Sequence, residues 1–432
     1  MTITSATELL IKFKKHPFIS TDSRKVMPGS LFFALKGDKF NANLFSATAL
    51  ENGAAYAIID DPAQYSGERT LLVKDVLESL QELASLYRSE LKIPIIGITG
   101  TNGKTTTKEL VATALSARYK TLSTPGNFNN HIGVPLTLLS IKPDTEIAVV
   151  EMGANHPGEI TSLCHIARPT HGLITNIGKA HLEGFGNFQG VIKAKKELYD
   201  YLDQYGGRVF VNSGNELLMQ LSENSHRVTY GTRSDDTVQG TPVSEESFLK
   251  INMEKPLKSV ITTNLAGSYN FENAMAAFCI ANHFKVKPDL AIAAISAYVP
   301  GMNRSQVVHS GSNTLILDAY NANPSSMKAA IDNFNHLKAG NKILILGDMF
   351  ELGPDSPVEH RAILDLIAQH QYRKVITAGP IFYQVAEGFK DVECYATTGE
   401  LKEALTRHPL HDSTILIKGS RGMMMETIVD IL

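Results

Sequence analysis

From Ile93 onward the chain repeats one scheme: a short, almost wholly apolar run, a turn carrying glycine or polar residues, then a stretch with helical periodicity. The runs are IPIIGI, IAVVEMG, HGLITNIG and RVFVNSG. Apolar runs of this length that do not alternate suit strands covered on both faces, and strands that alternate with helices build a parallel sheet. In such sheets ligands bind beyond the carboxyl ends of the strands. Gly100 to Thr106, Glu151, Asn176 and His181 therefore have reason to converge. Residues 221 to 265 lose the pattern and read as strands and turns on the sheet edge.

After YVPGMNRSQ a second alternation begins, TLILDAYNANP, KILILGDM, KVITAG and TILIKGSR. Its polar strand ends, Asp318, Asp348 and Lys418 to Arg421, are expected to form a second ligand-facing rim. Ahead of both lies a mixture of strand-like runs (SLFFAL, AAYAIID, TLLV) and helical stretches, ending in VLESLQELASLYRSEL before Pro94. The expectation is an α/β protein of three domains: a smaller α/β domain over 1–92, a central domain over 93–308 whose mostly parallel sheet is flanked by helices, and a Rossmann-like domain over 309–432.

A length of 432 residues agrees with three domains at roughly 150 residues each. Hydrophobic residues at 43% and charged residues at 20% are ordinary for a globular chain with a large core. A net charge of −3 gives no global attraction to nucleic acid or anionic lipid. Cys164, Cys279 and Cys394 form no CxxC or metal spacing and read as buried thiols in a reducing compartment. The opening MTITSATELLIKFKK has no apolar leader core, and no run of about 18 apolar residues occurs. A cytoplasmic protein is expected, with no nucleic-acid partner and no membrane insertion, and a monomer.

The stretch IGITGTNGKTTTKEL joins the first of these strands to a helix whose Leu110, Val111, Ala114 and Leu115 share a face. That is the setting of a phosphate loop. Glycines let backbone N–H groups approach phosphates, the helix N-terminus favours their charge, Lys104 reaches the terminal phosphates and Thr105 can ligate magnesium. The spacing departs from a Walker A loop, because the position five residues before Gly103 is Ile98. The plainer alternative is a glycine turn followed by a lysine-capped helix.

The respaced TGTNGKTT is similar to the form in the Mur ligase family, and the chain resembles that family from end to end. Within it the MurF type is resembled most, through TDSRKVMPGSLFFALKG, STPGNFNNHIGVPLTLL, EMGANHPGEI, DAYNANPSSM, LGDMFELG and KGSRGMMME. The resemblance implies an ATP-dependent amide ligase that adds D-alanyl-D-alanine to a UDP-N-acetylmuramoyl tripeptide. Another Mur-family amide ligase with a different amine substrate is the alternative, though DSRKVMPG argues against the folate ligases, which lack that first domain. A nucleotide-binding scaffold without catalysis is the remaining one.

Joining a carboxylate to an amine needs a leaving group, which ATP supplies as phosphate, and the site must cancel repulsion between two anions. The resemblance implies nucleotide contacts from Gly100, Thr101, Asn102, Gly103, Lys104, Thr105, Thr106, Asn273 and Arg304. It implies magnesium at Thr105 and a second ion at Glu151, His181 and Lys195, the lysine carrying a carbamate. Asn127, Asn129 and His131 would face the tripeptide and the reaction centre, and Ser23, Arg24 and Lys36 would grip the uridine diphosphate. Asp318, Asn321, Asn323, Lys418, Ser420 and Arg421 would hold the dipeptide and the tripeptide terminus. Duller readings stay open: Glu151 as a cap, His181 as a turn residue, Asn127 to His131 as loop formers, Asn270 and Asn273 as caps, Arg304 in a hinge salt bridge, Lys195 on a solvated face. Tyr269 stands where the family commonly has His, and departures near Asn41 and Asn215 touch one first-domain contact and one nucleotide contact.

Overall fold

The computed structural model describes residues 2–37, 39–243, 248–301 and 303–432; four residues of the expected edge segment, 244–247, lie outside it. Three sheets follow one another along the chain. The first has four parallel strands in the order Ile19–Ser20, Leu31–Phe33, Tyr56–Ile59 and Thr70–Leu72. Its helix Val76–Glu90 starts at Asp75, whose side chain accepts from the Glu78 N–H and so satisfies one orphan donor of the first turn.

The central sheet has nine strands. Across it run Ser259–Ala266, Phe248–Lys255, Val238–Val243, Arg227–Gly231, Arg208–Asn212, His171–Ile174, Ile95–Thr99, Ile147–Glu151 and Thr121–Ser123. All pairs are parallel except the two on the Ser259–Ala266 side, which are antiparallel. All five residues of both Ile95–Thr99 and Ile147–Glu151 are buried, as strands roofed by helices on both faces must be. Ile95–Thr99 lies between strands that the chain reaches later from either side, so the connections diverge at its carboxyl end and leave a crevice there.

The third sheet runs Gln306–Ser310, Asn313–Asp318, Thr414–Lys418, Lys342–Gly347, Lys374–Ala378 and Val392–Tyr395, parallel except for its first pair. Its carboxyl-end loops meet those of the central sheet. Asn323 Nδ2 donates to Asn102 Oδ1 at 2.8 Å, the Lys179 ammonium pairs with Glu359 at 2.6 Å, and the Ser268 N–H donates to Asn333 at 2.9 Å. Gly178 and Ser325 approach so closely that a Cβ on Gly178 would stand 2.5 Å from Ser325 Oγ. Among the described residues no helix is long and apolar enough to cross a membrane.

Candidate active site

The loop after Ile95–Thr99 is shaped by two glycines that tolerate no side chain. Gly100 has φ +141, and a Cβ there would stand 2.0 Å from Thr175 Oγ1; Gly103 has φ +76, and its Cβ would stand 2.6 Å from Asn273 Oδ1. Both conformations are ones L-residues rarely adopt. Between them the Thr101 and Asn102 N–H groups donate to the Asn176 backbone carbonyl and side chain. Helix Lys104–Ser116 then begins, with Leu110, Val111, Ala114 and Leu115 buried in the core. The half-buried Lys104 ammonium donates to the carbonyls of Gly100 at 2.7 Å and Thr101 at 2.9 Å. Burial pushes its pKa down to about 8; Glu151 opposes that and Arg304 adds to it.

Glu151 ends its strand beside Ile98, so the pairing register delivers its carboxylate to the loop. Oε1 accepts from Thr105 Oγ1 at 3.2 Å and Asn129 Nδ2 at 2.7 Å. Oε2 is buried without a hydrogen-bond partner, the Lys108 ammonium being an ion-pair neighbour at 3.8 Å. A buried carboxylate oxygen left open beside a threonine hydroxyl fits a hard cation with oxygen ligands. Among the described residues, however, no three His, Cys, Asp or Glu side chains gather as a metal group. His181, in the left-handed region at φ 50, turns Nδ1 to Glu351 of the third domain. Contact with His181 also lowers the Glu351 carboxyl below its usual range.

Lys195 sits on the inner face of helix Phe188–Gln204, 2% exposed, while its neighbours Lys193 and Lys196 face outward. Its ammonium is 3.4 Å from the Ala154 carbonyl and 5.4 Å from the centroid of the Phe185 ring. Burial drives its pKa down to about 7, helped by Lys104 and resisted by Glu159 and Glu197. The solvated-face reading thus fails for Lys195 and holds for its neighbours.

The asparagine loop serves two roles. Asn130 Oδ1 accepts from the Ile132 and Gly133 N–H groups and forms the turn, while Asn130 itself lines the cleft together with Asn127, Asn129 and His131. Asn273 is tucked behind the phosphate loop, accepting from Thr107 Oγ1 at 2.9 Å and donating to Asn270 at 2.9 Å. From the third domain, Lys418 reaches Asp318 at 2.7 Å and the Asn321 carbonyl at 3.2 Å, and Asn323 caps helix Pro324–His336. Ser420 Oγ accepts from the Phe350 N–H at 2.9 Å. Arg304 stacks its guanidinium 3.5 Å from the Tyr320 ring centroid, and Arg421 lies 5.0 Å from the same centroid. These groups border one cleft of about 1340 Å³ between the central and third domains.

Asp348 corrects an expectation. It does not face a ligand: fully buried, it accepts from the Ile381 and Phe382 N–H groups at 2.9 Å each, at the start of helix Pro380–Val385. A strand-end position fixes where a residue sits, not where its side chain turns, and here the nearer partner is a helix N-terminus. Ser23, Arg24 and Lys36 lie in the first domain and do not border the cleft. Arg24 pairs with Asp22 at 2.8 Å and Lys36 with Asp60 at 2.8 Å. Asn41 and Asn215 serve as local caps. Sequence reasoning missed Lys108 and Tyr320. Lys108 follows Lys104 by four positions on one helix, a spacing that put both on the same face in plain sight.

Comparison with known proteins covers the three domains in turn. The Mur ligase family catalytic domain matches residues 16–88, the middle domain 98–281 and the glutamate ligase domain 303–421. A UDP-N-acetylmuramoyl-tripeptide--D-alanyl-D-alanine ligase of Bacillus subtilis is 37% identical over 95% of this chain and 92% of its own. The crystal structure of MurF from Acinetobacter baumannii superposes with a TM-score of 0.86 at 31% identity, covering 95% of this chain and 92% of that one. MurF ligase from Thermotoga maritima in complex with ADP shares the fold, with a TM-score of 0.83 at 24% identity over 96% of each chain. Similarity that runs through every domain at this identity makes the chain a member of the Mur ligase family, of the MurF type.

Proposed function

We propose that the chain joins D-alanyl-D-alanine to UDP-N-acetylmuramoyl-tripeptide at the expense of ATP, giving the pentapeptide precursor, ADP and phosphate through an acyl phosphate. The observation that carries this reading is the single cleft in which a phosphate loop with Lys104, Thr105 and Glu151 faces Asp318, Lys418 and Arg421 of another domain. One side suits a triphosphate and the other a zwitterionic dipeptide. ATP and a carboxylate repel, and fixed positive charge must offset that repulsion at the point of transfer. Lys104 now donates to two loop carbonyls, and exchanging them for phosphate oxygens needs only a change of side-chain direction. Arg421, exposed at the rim, suits bidentate pairing with a carboxylate.

Thr105 and the open Glu151 oxygen would hold magnesium, which when bound supplies charge that offsets the anions. Lys195 would react as the neutral amine with carbon dioxide, forming a C–N bond and releasing a proton, and the carbamate would add an oxygen donor to His181 and Glu151. A depressed lysine pKa supports that step, since it raises the neutral fraction near pH 7. Asn127, Asn129 and His131 would orient the tripeptide, and Asn273 and Arg304 the nucleotide. Ser23, Arg24 and Lys36 would grip the uridine diphosphate in domain 1–92, with 93–308 as the ATP domain and 309–432 as the dipeptide domain. The setting is the cytoplasm and the working form a monomer.

Phosphate release measured with UDP-muramoyl tripeptide and D-alanyl-D-alanine, each omitted in turn, tests the assignment. Release is expected only with both present, and equal release without the dipeptide would overturn it.

A further inference from the structure

We infer that Tyr320 is a positioning residue, whose ring sets the direction of Arg304 toward the phosphate loop and of Arg421 at the rim of the cleft. The inference rests on the ligase reading above. Tyr320 follows Asp318 at the end of its strand and presents one ring to two guanidinium groups, at 3.5 Å and 5.0 Å from its centroid. Two cations do not share a ring by chance of surface crowding, because they repel each other, so something must hold them. The negative face of the ring does.

Arg304 has further signs of being held in place. Its Nε is buried without a hydrogen-bond partner, a cost that an aromatic face against the guanidinium offsets in part. The backbone on either side is strained, with Asn303 at φ 56 and Ser305 at φ 47. Ser305 is tied to the central domain through the Tyr269 hydroxyl at 2.9 Å and to the third domain through Asp318 at 3.4 Å. The backbone thus fixes where Arg304 starts and the Tyr320 ring fixes where it points. Arg304 borders the same cleft as the phosphate-loop residues Lys104 and Thr105. One ring therefore links the nucleotide side of the cleft to the dipeptide side.

The test compares Y320L, Y320F, R304A and the Y320L/R304A double variant by calorimetric ADP binding, by KM for D-alanyl-D-alanine and by thermal midpoint. Y320L is expected to weaken ADP about 10-fold and to raise the dipeptide KM several-fold, with the midpoint nearly unchanged, in line with the strength of partly buried cation–π contacts. Y320F keeps the ring and should stay within about threefold of the parent. In the R304A background, loss of the ring should cost ADP nothing further. Y320Q replaces Y320L should the latter not fold. ADP affinity within about twofold in Y320L, equal losses in Y320F and Y320L, or losses that multiply in the double variant would each overturn the inference. A parent enzyme that makes no ligation product fails the ligase reading instead, a result these binding measurements keep separate.

Discussion

Lys104 and Lys195 show how burial changes the acid strength of an ordinary side chain. Both are lysines whose pKa falls, to about 8 and about 7, because protein replaces the water that would solvate the ammonium. Their roles then diverge with what they face. Lys104 borders the cleft, its ammonium resting on the Gly100 and Thr101 carbonyls, and retains enough charge to meet phosphate, so K104A is expected to lower turnover by about 100-fold while the folded state survives. Steady-state rates together with a circular dichroism melt check this, and near-normal turnover would remove Lys104 from the mechanism. Lys195 points into the protein, where an ammonium has only the Ala154 carbonyl and a ring face for company. For K195A we expect loss of most activity and partial return with acetate or a carboxylate of similar size, which places oxygens where the carbamate would stand. Activity in K195A equal to that of the parent counts against modification, and so does failure of every small carboxylate to restore any.

At the scale of elements, the sheets were legible in the sequence because parallel strands covered on both faces must be apolar throughout. IPIIGI and IAVVEMG became Ile95–Thr99 and Ile147–Glu151, and TILIKGSR became Thr414–Lys418. Side-chain direction beyond a strand end was not legible. Asp348 and Asp318 occupy like positions in the pattern, yet one turns under a helix to the Ile381 and Phe382 N–H groups and the other borders the cleft, held by the Lys418 ammonium. The same limit hid the partner of His181, since Glu351 arrives from another domain. Packing between elements also carries a pH dependence. His171 opens its strand against Phe210, His283 and Phe284, and burial, with His283 and Arg208, lowers its pKa to about 4 from the usual 6.5. Below pH 6.5 the unfolded chain binds a proton that the folded one refuses until about pH 4, so stability should fall across that window as pH drops and level off beneath it. The loss amounts to up to roughly 2 kcal/mol once partial exposure is allowed for. H171F keeps the stacked ring and removes the proton, and thermal midpoints from pH 7 to pH 4 should slope less in the variant; parallel slopes would assign the acid sensitivity elsewhere.

On the scale of the whole molecule the cleft exists only because domains touch, and at one point of contact the close approach requires a glycine. Gly178 follows a central strand, and a Cβ there would stand 2.5 Å from Ser325 Oγ and 2.9 Å from Ser325 Cβ, at the start of the third domain's helix Pro324–His336. Its φ lies outside the left-handed region, and the next neighbour, Thr101 Cγ2, is 3.7 Å away, an ordinary contact. A side chain at 178 is therefore compatible with its own domain and incompatible with the approach of the other. G178A should hold the domains apart: ligation falls at least tenfold, and the radius of gyration from solution scattering rises. The cause can be isolated, because S325G removes both atoms that the new Cβ would strike. The double variant should recover compactness and most of the lost rate, although it gives up the bond from the Lys179 N–H to Ser325 Oγ at 2.9 Å. Recovery in the pair shows that closure sets the rate, since S325G offers the chemistry nothing of its own. If G178A ligates at the parental rate, the contact is incidental and the reacting groups meet without it.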